Sequence, residues 1–322
     1  MPLAVAVVVD VTSIHEGVER RIVSALCTGL LVRPDVVLTA AHCLEPRSFV
    51  ADEEVLALAF SISNLSDLRA LEELPVDAVV ADAVFSLPGF SFDELLGAVG
   101  TSNDLDDAGL LFFGAPVVDI DADFPFVDDT GLDRAGLAVV TAGYGATDPN
   151  LVDATRGTRT CGDAFFESVA AFEQQVGAGT GSLRACNGDS GGPLLANRDG
   201  DVVVVGIHSH VLNGCDAPSV SQRIAPIFDA LDQAVRAACA DGPRTACDPP
   251  GLLTRPIPIE DAGVVDVDAD AGFDADAGFA DADAGVTDAG DPDEREPRTG
   301  LWRRRARGVA RVASSSSSSL KR

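Results

Sequence analysis

Over its first 240 residues the chain keeps switching between short apolar runs and clusters of Gly, Pro and Asp. Leu3–Val9, Leu26–Val32, Val36–Thr39, Leu110–Phe113, Leu137–Ala142 and Val202–Ile207 are examples. Runs this short are strand-length, and their Val and Ile content suits a pleated, buried surface. The turn clusters between them break the chain too often for helices. The pattern therefore predicts an all-β fold, a barrel or sandwich closed by many short strands. One stretch departs from it. In Ile224–Ala240, Ile227, Phe228, Leu231, Ala234, Val235 and Ala238 recur at helical spacing.

Two segments carry chemistry. Cys186-Asn187-Gly188-Asp189-Ser190-Gly191-Gly192-Pro193 sets a serine between glycines, directly after an aspartate. A serine hydroxyl is a weak nucleophile until a base takes its proton and donors stabilise the resulting oxyanion. Without a Cβ at Gly188 and Gly191 the backbone can turn tightly, and the N–H groups of Gly188 and Ser190 can converge on one point. About 150 residues earlier, Leu38-Thr39-Ala40-Ala41-His42-Cys43 offers a histidine as that base.

Together the two segments resemble the trypsin-like (chymotrypsin-fold) serine proteases, from about residue 1 to about residue 240. The resemblance implies two six-stranded β-barrels, a C-terminal helix and an active site in the cleft between the barrels. It gives His42 the role of general base and Ser190 that of nucleophile, with Gly188 and Ser190 N–H groups as the oxyanion hole. The third member is a buried aspartate just before an apolar strand. Ser102-Asn103-Asp104-Leu105-Asp106-Asp107-Ala108-Gly109-Leu110 offers Asp107, which leads straight into the strand, with Asp104 as the alternative. Ser209 matches the serine that supports this aspartate. His208 and His210 beside it read as substrate-cleft residues, not as metal ligands, because no third ligand accompanies them.

The resemblance also speaks to specificity. Trypsins receive Lys or Arg with an aspartate six residues before the nucleophile, and here that position is Arg184. A preference for Lys or Arg is therefore not expected. Val211 and Ser219 stand where glycines usually open the pocket. That pairing suits small side chains, or acidic ones if Arg184 points inward. Asp189 pairs in the family with an N-terminal amine freed by cleavage before an Ile-Val-Gly-Gly-like sequence. This chain shows no such sequence, and Met1-Pro2-Leu3-Ala4-Val5 aligns with a later strand. Two expectations follow: an endopeptidase whose N-terminal segment is missing from the sequence as written, or a catalytically impaired protease-fold binding protein.

Seven cysteines include no Cys-x-x-Cys pair, which argues against zinc or a dithiol redox site. The resemblance implies Cys27–Cys43 and Cys186–Cys215 bridges; Cys239 and Cys247 could close a local loop, leaving Cys161 single. Disulfides point to a secreted or extracytoplasmic protein, although residues 1–10 lack the basic start and cleavage site of a signal peptide. A net charge of −28, most of it before residue 255, argues against nucleic acid as a partner. No apolar run reaches the ~18 residues that span a bilayer. Protein or peptide substrates, a monomeric enzyme and no cofactor are expected, since deacylation needs only water.

Residues 241–300 read as an acidic linker in which Asp-Ala-Gly recurs five times, too poor in apolar surface to order itself. Asp266, Asp268 and Asp270 mimic the start of a calcium loop, but the glycine falls one position late and Ala277 replaces the closing glutamate. Residues 301–322 turn basic and serine-rich. The expected organisation is thus a protease domain over 1–240, a linker over 241–300 and a tail over 301–322.

Overall fold

The computed structural model describes residues 3–255, except 49, 51–52, 69–72, 99–105, 119–121, 149–154, 171–172, 178–184, 212–214, 216–217, 241–246 and 248–249. The linker and tail, Asp104 and Arg184 lie outside the described residues.

The fold is all-β, with a C-terminal helix. The first sheet holds β1 (Ala4–His15), β2 (Val18–Arg33), β3 (Val36–Thr39), β4 (Glu54–Ser63), β5 (Val79–Val80), β6 (Ala83–Ser86) and β7 (Gly109–Phe112), in the order β5-β4-β1-β2-β3-β7-β6. The second holds β8 (Phe126–Val127), β9 (Ala138–Gly143), β10 (Thr160–Val169), β11 (Glu173–Gly177), β12 (Pro193–Arg198), β13 (Asp201–Val211) and β14 (Ser219–Arg223). Its order is β12-β9-β10-β11-β14-β13-β8, and β12 pairs with β13 to close a barrel. Each sheet thus carries a seventh strand beyond the six expected, and the two-residue β5 and β8 sit at the edges.

β1 and β2 run well past their apolar runs. Their register stays paired out to His15 and Val18 across the two-residue turn Glu16-Gly17, both with positive φ. Such a turn matches strand twist, so the hairpin continues into polar sequence. A short helix, Phe92–Ala98, was not expected; it buries Leu95 against Phe90 and Phe92.

Alternation sorts the side chains of each sheet. Val5, Val7, Val9, Leu31, Val37 and Leu111 fill the first sheet's core. Val139, Phe166, Val176, Leu194, Val203 and Val205 fill the second barrel. A third cluster joins them, with Leu30, Leu38 and Leu110 from one sheet, Leu195, Val204 and Ile207 from the other, and Leu231 and Val235 from the terminal helix Phe228–Ala240. This shared core fixes the two sheets against each other, so residues on facing edges can form one site.

Described residues past 240 also pack on the folded part. Leu252 joins the shared core, the Val127 N–H donates to the Leu253 carbonyl at 2.7 Å, and the Leu252 N–H donates to Asp232 at 2.7 Å. Disulfides join Cys27 to Cys43, Cys186 to Cys215 and Cys239 to Cys247, while Cys161 is unbridged and exposed.

Candidate active site

His42 lies on a single 3₁₀ turn, Ala41–Leu44, that follows β3 and is tied by the Cys27–Cys43 bridge to β2. The neighbouring strand brings Asp107 to it. β3 pairs antiparallel with β7, Thr39 opposite Gly109, so the residue two before Gly109 falls beside the turn that carries His42. Asp106 takes a left-handed φ of 47°, which aspartate tolerates better than most residues, and turns the chain there.

Asp107 is fully buried and well supplied with donors. It accepts hydrogen bonds from His42 Nδ1 at 2.8 Å, from the His42 N–H at 2.9 Å and from Ser209 Oγ at 2.5 Å. Its own N–H donates to Gln222 Oε1 at 3.0 Å. Burial pushes its carboxyl pKa up, but the charge of His42 and the bonds from His42 and Ser209 outweigh burial, and the net shift is downward. This carboxylate is therefore ionised and fixes His42 with Nδ1 as donor, leaving Nε2 as the acceptor.

Ser190 sits on the opposing barrel. Its hydroxyl donates to the Ser209 carbonyl at 3.1 Å, and its own carbonyl accepts from the Thr28 N–H at 2.8 Å. Ser209 thus touches both halves of the site: its side chain bonds Asp107 and its carbonyl bonds Ser190. The loop that carries Ser190 is threaded tightly against the first sheet. Gly191 has φ 79°, and a Cβ there would overlap Thr39 Oγ1 and the Thr28 carbonyl. Gly188 has φ 105°. Among the described hydrogen bonds none engages the N–H of Gly188 or of Ser190.

Asp189 occupies a different setting. Its carboxylate accepts the Gly145 N–H at 2.8 Å and the Cys186 N–H at 2.9 Å. It nests against Gly143 and Gly145, where any Cβ would overlap it. Desolvation pushes its pKa up to about 6, and the two backbone bonds only partly resist. The sequence flagged Asp189 as a carboxylate in need of a partner. It did not flag the glycines that cradle it, although Gly143-Tyr144-Gly145 was the available signal.

The pocket residues are partly placed. Val211 ends β13 opposite Ser219 in β14. Ser219 is buried, and its Oγ lies 3.5 Å from His208 Nδ1. His208 and His210 do not share a setting, because a register shift separates them. His208 is buried and bonds Thr141, whereas His210 contacts Ser209 Oγ at 3.1 Å. Arg184 lies outside the described residues. Gln222 went unnoticed in the sequence, because only the pairing of distant strands brings it to Asp107.

The family model described as Trypsin matches residues 9–81 and 128–232, more than half of the chain. This chain belongs to the trypsin family. It is a serine-type endopeptidase of that family, with 28% identity to human Kallikrein-2 over 204 residues, 60% of this chain and 73% of the relative. Trypsin of Saccharopolyspora erythraea is 26% identical over 223 residues, 66% of this chain and 87% of the relative. Seminase of Drosophila melanogaster is 26% identical over 184 residues, 54% and 60% respectively. The trypsin match breaks between 81 and 128, the stretch that contains Asp107. The position of Asp107 therefore rests on strand pairing and hydrogen bonds rather than on the family match. Among the described residues no helix is long and apolar enough to cross a membrane.

Proposed function

We propose that this endopeptidase cleaves protein or peptide substrates through an acyl-enzyme intermediate, with Ser190 as nucleophile, His42 as general base and acid, and Asp107 as the carboxylate that orients His42. The observation that carries this reading is the shared anchor Ser209, bonded to Asp107 through Oγ and to Ser190 through its carbonyl. It ties base and nucleophile, which come from different sheets, into one unit.

In the resting site the Ser190 hydroxyl turns toward Ser209. A substrate carbonyl over the loop draws it round to His42 Nε2, which takes the proton as Oγ attacks. The N–H groups of Gly188 and Ser190 stabilise the oxyanion. The protonated imidazole, held by Asp107, then gives its proton to the leaving amine, and water repeats the sequence to release the acid. The serine between glycines and the buried carboxylate are what this cycle requires; no cofactor enters it.

The buried, uncharged side chains of Ser219 and His208 support a substrate preference other than Lys or Arg. Three disulfides support an extracytoplasmic location. We place the protease domain over residues 1–254, because Leu252 joins its core and the Leu253 carbonyl bonds Val127, followed by the linker and tail.

A second reading, a resting or weakly active form of the same enzyme, is favoured by Asp189, whose donors among the described residues are the backbone amides of Gly145 and Cys186. Fluorophosphonate labelling tests both. Rapid labelling that vanishes in Ser190→Ala and His42→Ala supports the first. Labelling that is slow in the wild-type chain and accelerates in Asp189→Asn supports the second. No labelling in either chain removes Ser190 as the nucleophile.

A further inference from the structure

The interior of the second barrel is apolar along most of its length, filled by Val139, Phe166, Val176, Leu194, Val203 and Val205. One end departs from this. Thr141, two residues along β9 from Val139, His208, three along β13 from Val205, and Ser219 and Ser221 from β14 bring four polar side chains together. All four are buried, His208 at 3% exposure and Ser221 at 0%. A barrel core has no need of such a group, and burying it without compensation is unfavourable.

The position of the cluster matters as much as its content. The His208 carbonyl accepts the Gly191 N–H at 2.7 Å, and the His208 N–H donates to the Gly192 carbonyl at 2.8 Å. The polar end of the barrel is therefore the end beside Ser190. The Cys186–Cys215 bridge closes the same neighbourhood.

The bonds within the cluster are uneven. His208 Nε2 is 2.8 Å from Thr141 Oγ1, a full hydrogen bond. On the other side of the ring, Ser221 Oγ and Ser219 Oγ stand off Nδ1 at 3.4 and 3.5 Å, beyond good hydrogen-bond length. In the tautomer with the proton on Nδ1, the Thr141 hydroxyl donates to Nε2, and Nδ1–H and the two serine hydroxyls can all be offered to one acceptor. Among the described residues no charged group helps the imidazole: burial pulls its pKa down, to about 4, so His208 waits neutral.

A carboxylate completes this arrangement. Its two oxygens can accept from all three donors, and its charge supplies the counter-ion that a buried imidazolium lacks. An ammonium or guanidinium finds no described carboxylate here, and an alkyl side chain offers these polar groups no partner.

We infer that His208, Ser219 and Ser221 form a receptor for an acidic side chain, and that this endopeptidase selects Glu or Asp at the residue immediately before the scissile bond. The inference rests on the reading of Ser190 as nucleophile, because that residue gives the pocket its place on the substrate.

The test separates binding from cleavage. In the full chain carrying Ser190→Ala, product peptides identical except for a C-terminal Glu, Asp, Gln, Ala or Arg are titrated by calorimetry. The His208 ring is followed by NMR in the same samples. The expected result is acidic peptides binding about 100-fold tighter than the Gln peptide, with the His208 ring titrating at higher pH only in their presence. His208→Leu abolishes the Glu-over-Gln difference. If that variant fails to fold, the paired change Ser219→Ala and Ser221→Ala should narrow the difference instead. Equal binding of Glu and Gln, or tighter binding of Ala or Arg, overturns the assignment. Retained Glu preference in Ser190→Ala, together with no fluorophosphonate labelling of the unsubstituted chain, overturns the nucleophile reading and leaves the pocket supported.

Discussion

Asp107 and Asp189 are both buried aspartates, one on each side of the cleft, and their surroundings drive them in opposite directions. Asp107 faces a histidine, a serine hydroxyl and a backbone amide, and its pKa falls. Asp189 faces two backbone amides and two glycines, and its pKa rises to about 6. Burial is common to both. The difference lies in whether a positive charge can form next to the carboxylate. One aspartate is built to be charged and to hold another group in place. The other is held in place itself.

The contrast has opposite signatures in pH. An unfolded aspartate ionises near 3.8, so Asp107, with its lowered pKa, contributes stability that is present above that range and lost as pH falls. Asp189 keeps its proton longer when folded than when unfolded. It therefore removes stability as pH rises from about 4 to about 6, and has no further effect above that.

Asp107→Asn should have the largest effect, lowering kcat about 10⁴-fold by releasing the His42 tautomer. Steady-state kinetics on any cleaved peptide would show it, and a loss under tenfold would mean another carboxylate, such as Asp104, orients His42. Asp189→Asn should stabilise the fold above pH 6 by up to ~3 kcal/mol and leave it unchanged below pH 4. Denaturant melts across that range would break the comparison if the gain were flat with pH. Gly145→Ala should destabilise by ~2 kcal/mol through its overlap with Asp189. Much of that loss should disappear in an Asp189→Ala background, and additive effects in the double-mutant cycle would remove the cradle argument. Ser209→Ala should have the smallest effect, ~1 kcal/mol in stability. Its kcat should fall more steeply at low pH than that of the wild type, since Asp107 loses one of the donors that keep it ionised.

How much of this was readable beforehand depended on how local each signal is. Ser190, His42, Gly188 and the strand runs were legible because each is encoded within a few consecutive residues. The terminal helix was legible because its period shows in one 17-residue stretch. Asp107 was half legible. Three nearby aspartates stand before one apolar strand, and only the pairing of Thr39 with Gly109 singles out the one that meets His42. Gln222 and the Gly143–Gly145 cradle were not legible, since each acts on a residue at least 44 positions away. His208 was visible as a cleft residue. Its convergence with Thr141, Ser219 and Ser221 depends on the closure of a barrel.

The segment Gly251–Leu253 has a practical consequence. It bonds Arg33 in the first sheet, Val127 in the second and Asp232 in the terminal helix. A short strap that fastens three parts of the molecule at once is a seal. A recombinant fragment cut at residue 240 would leave the shared core uncapped.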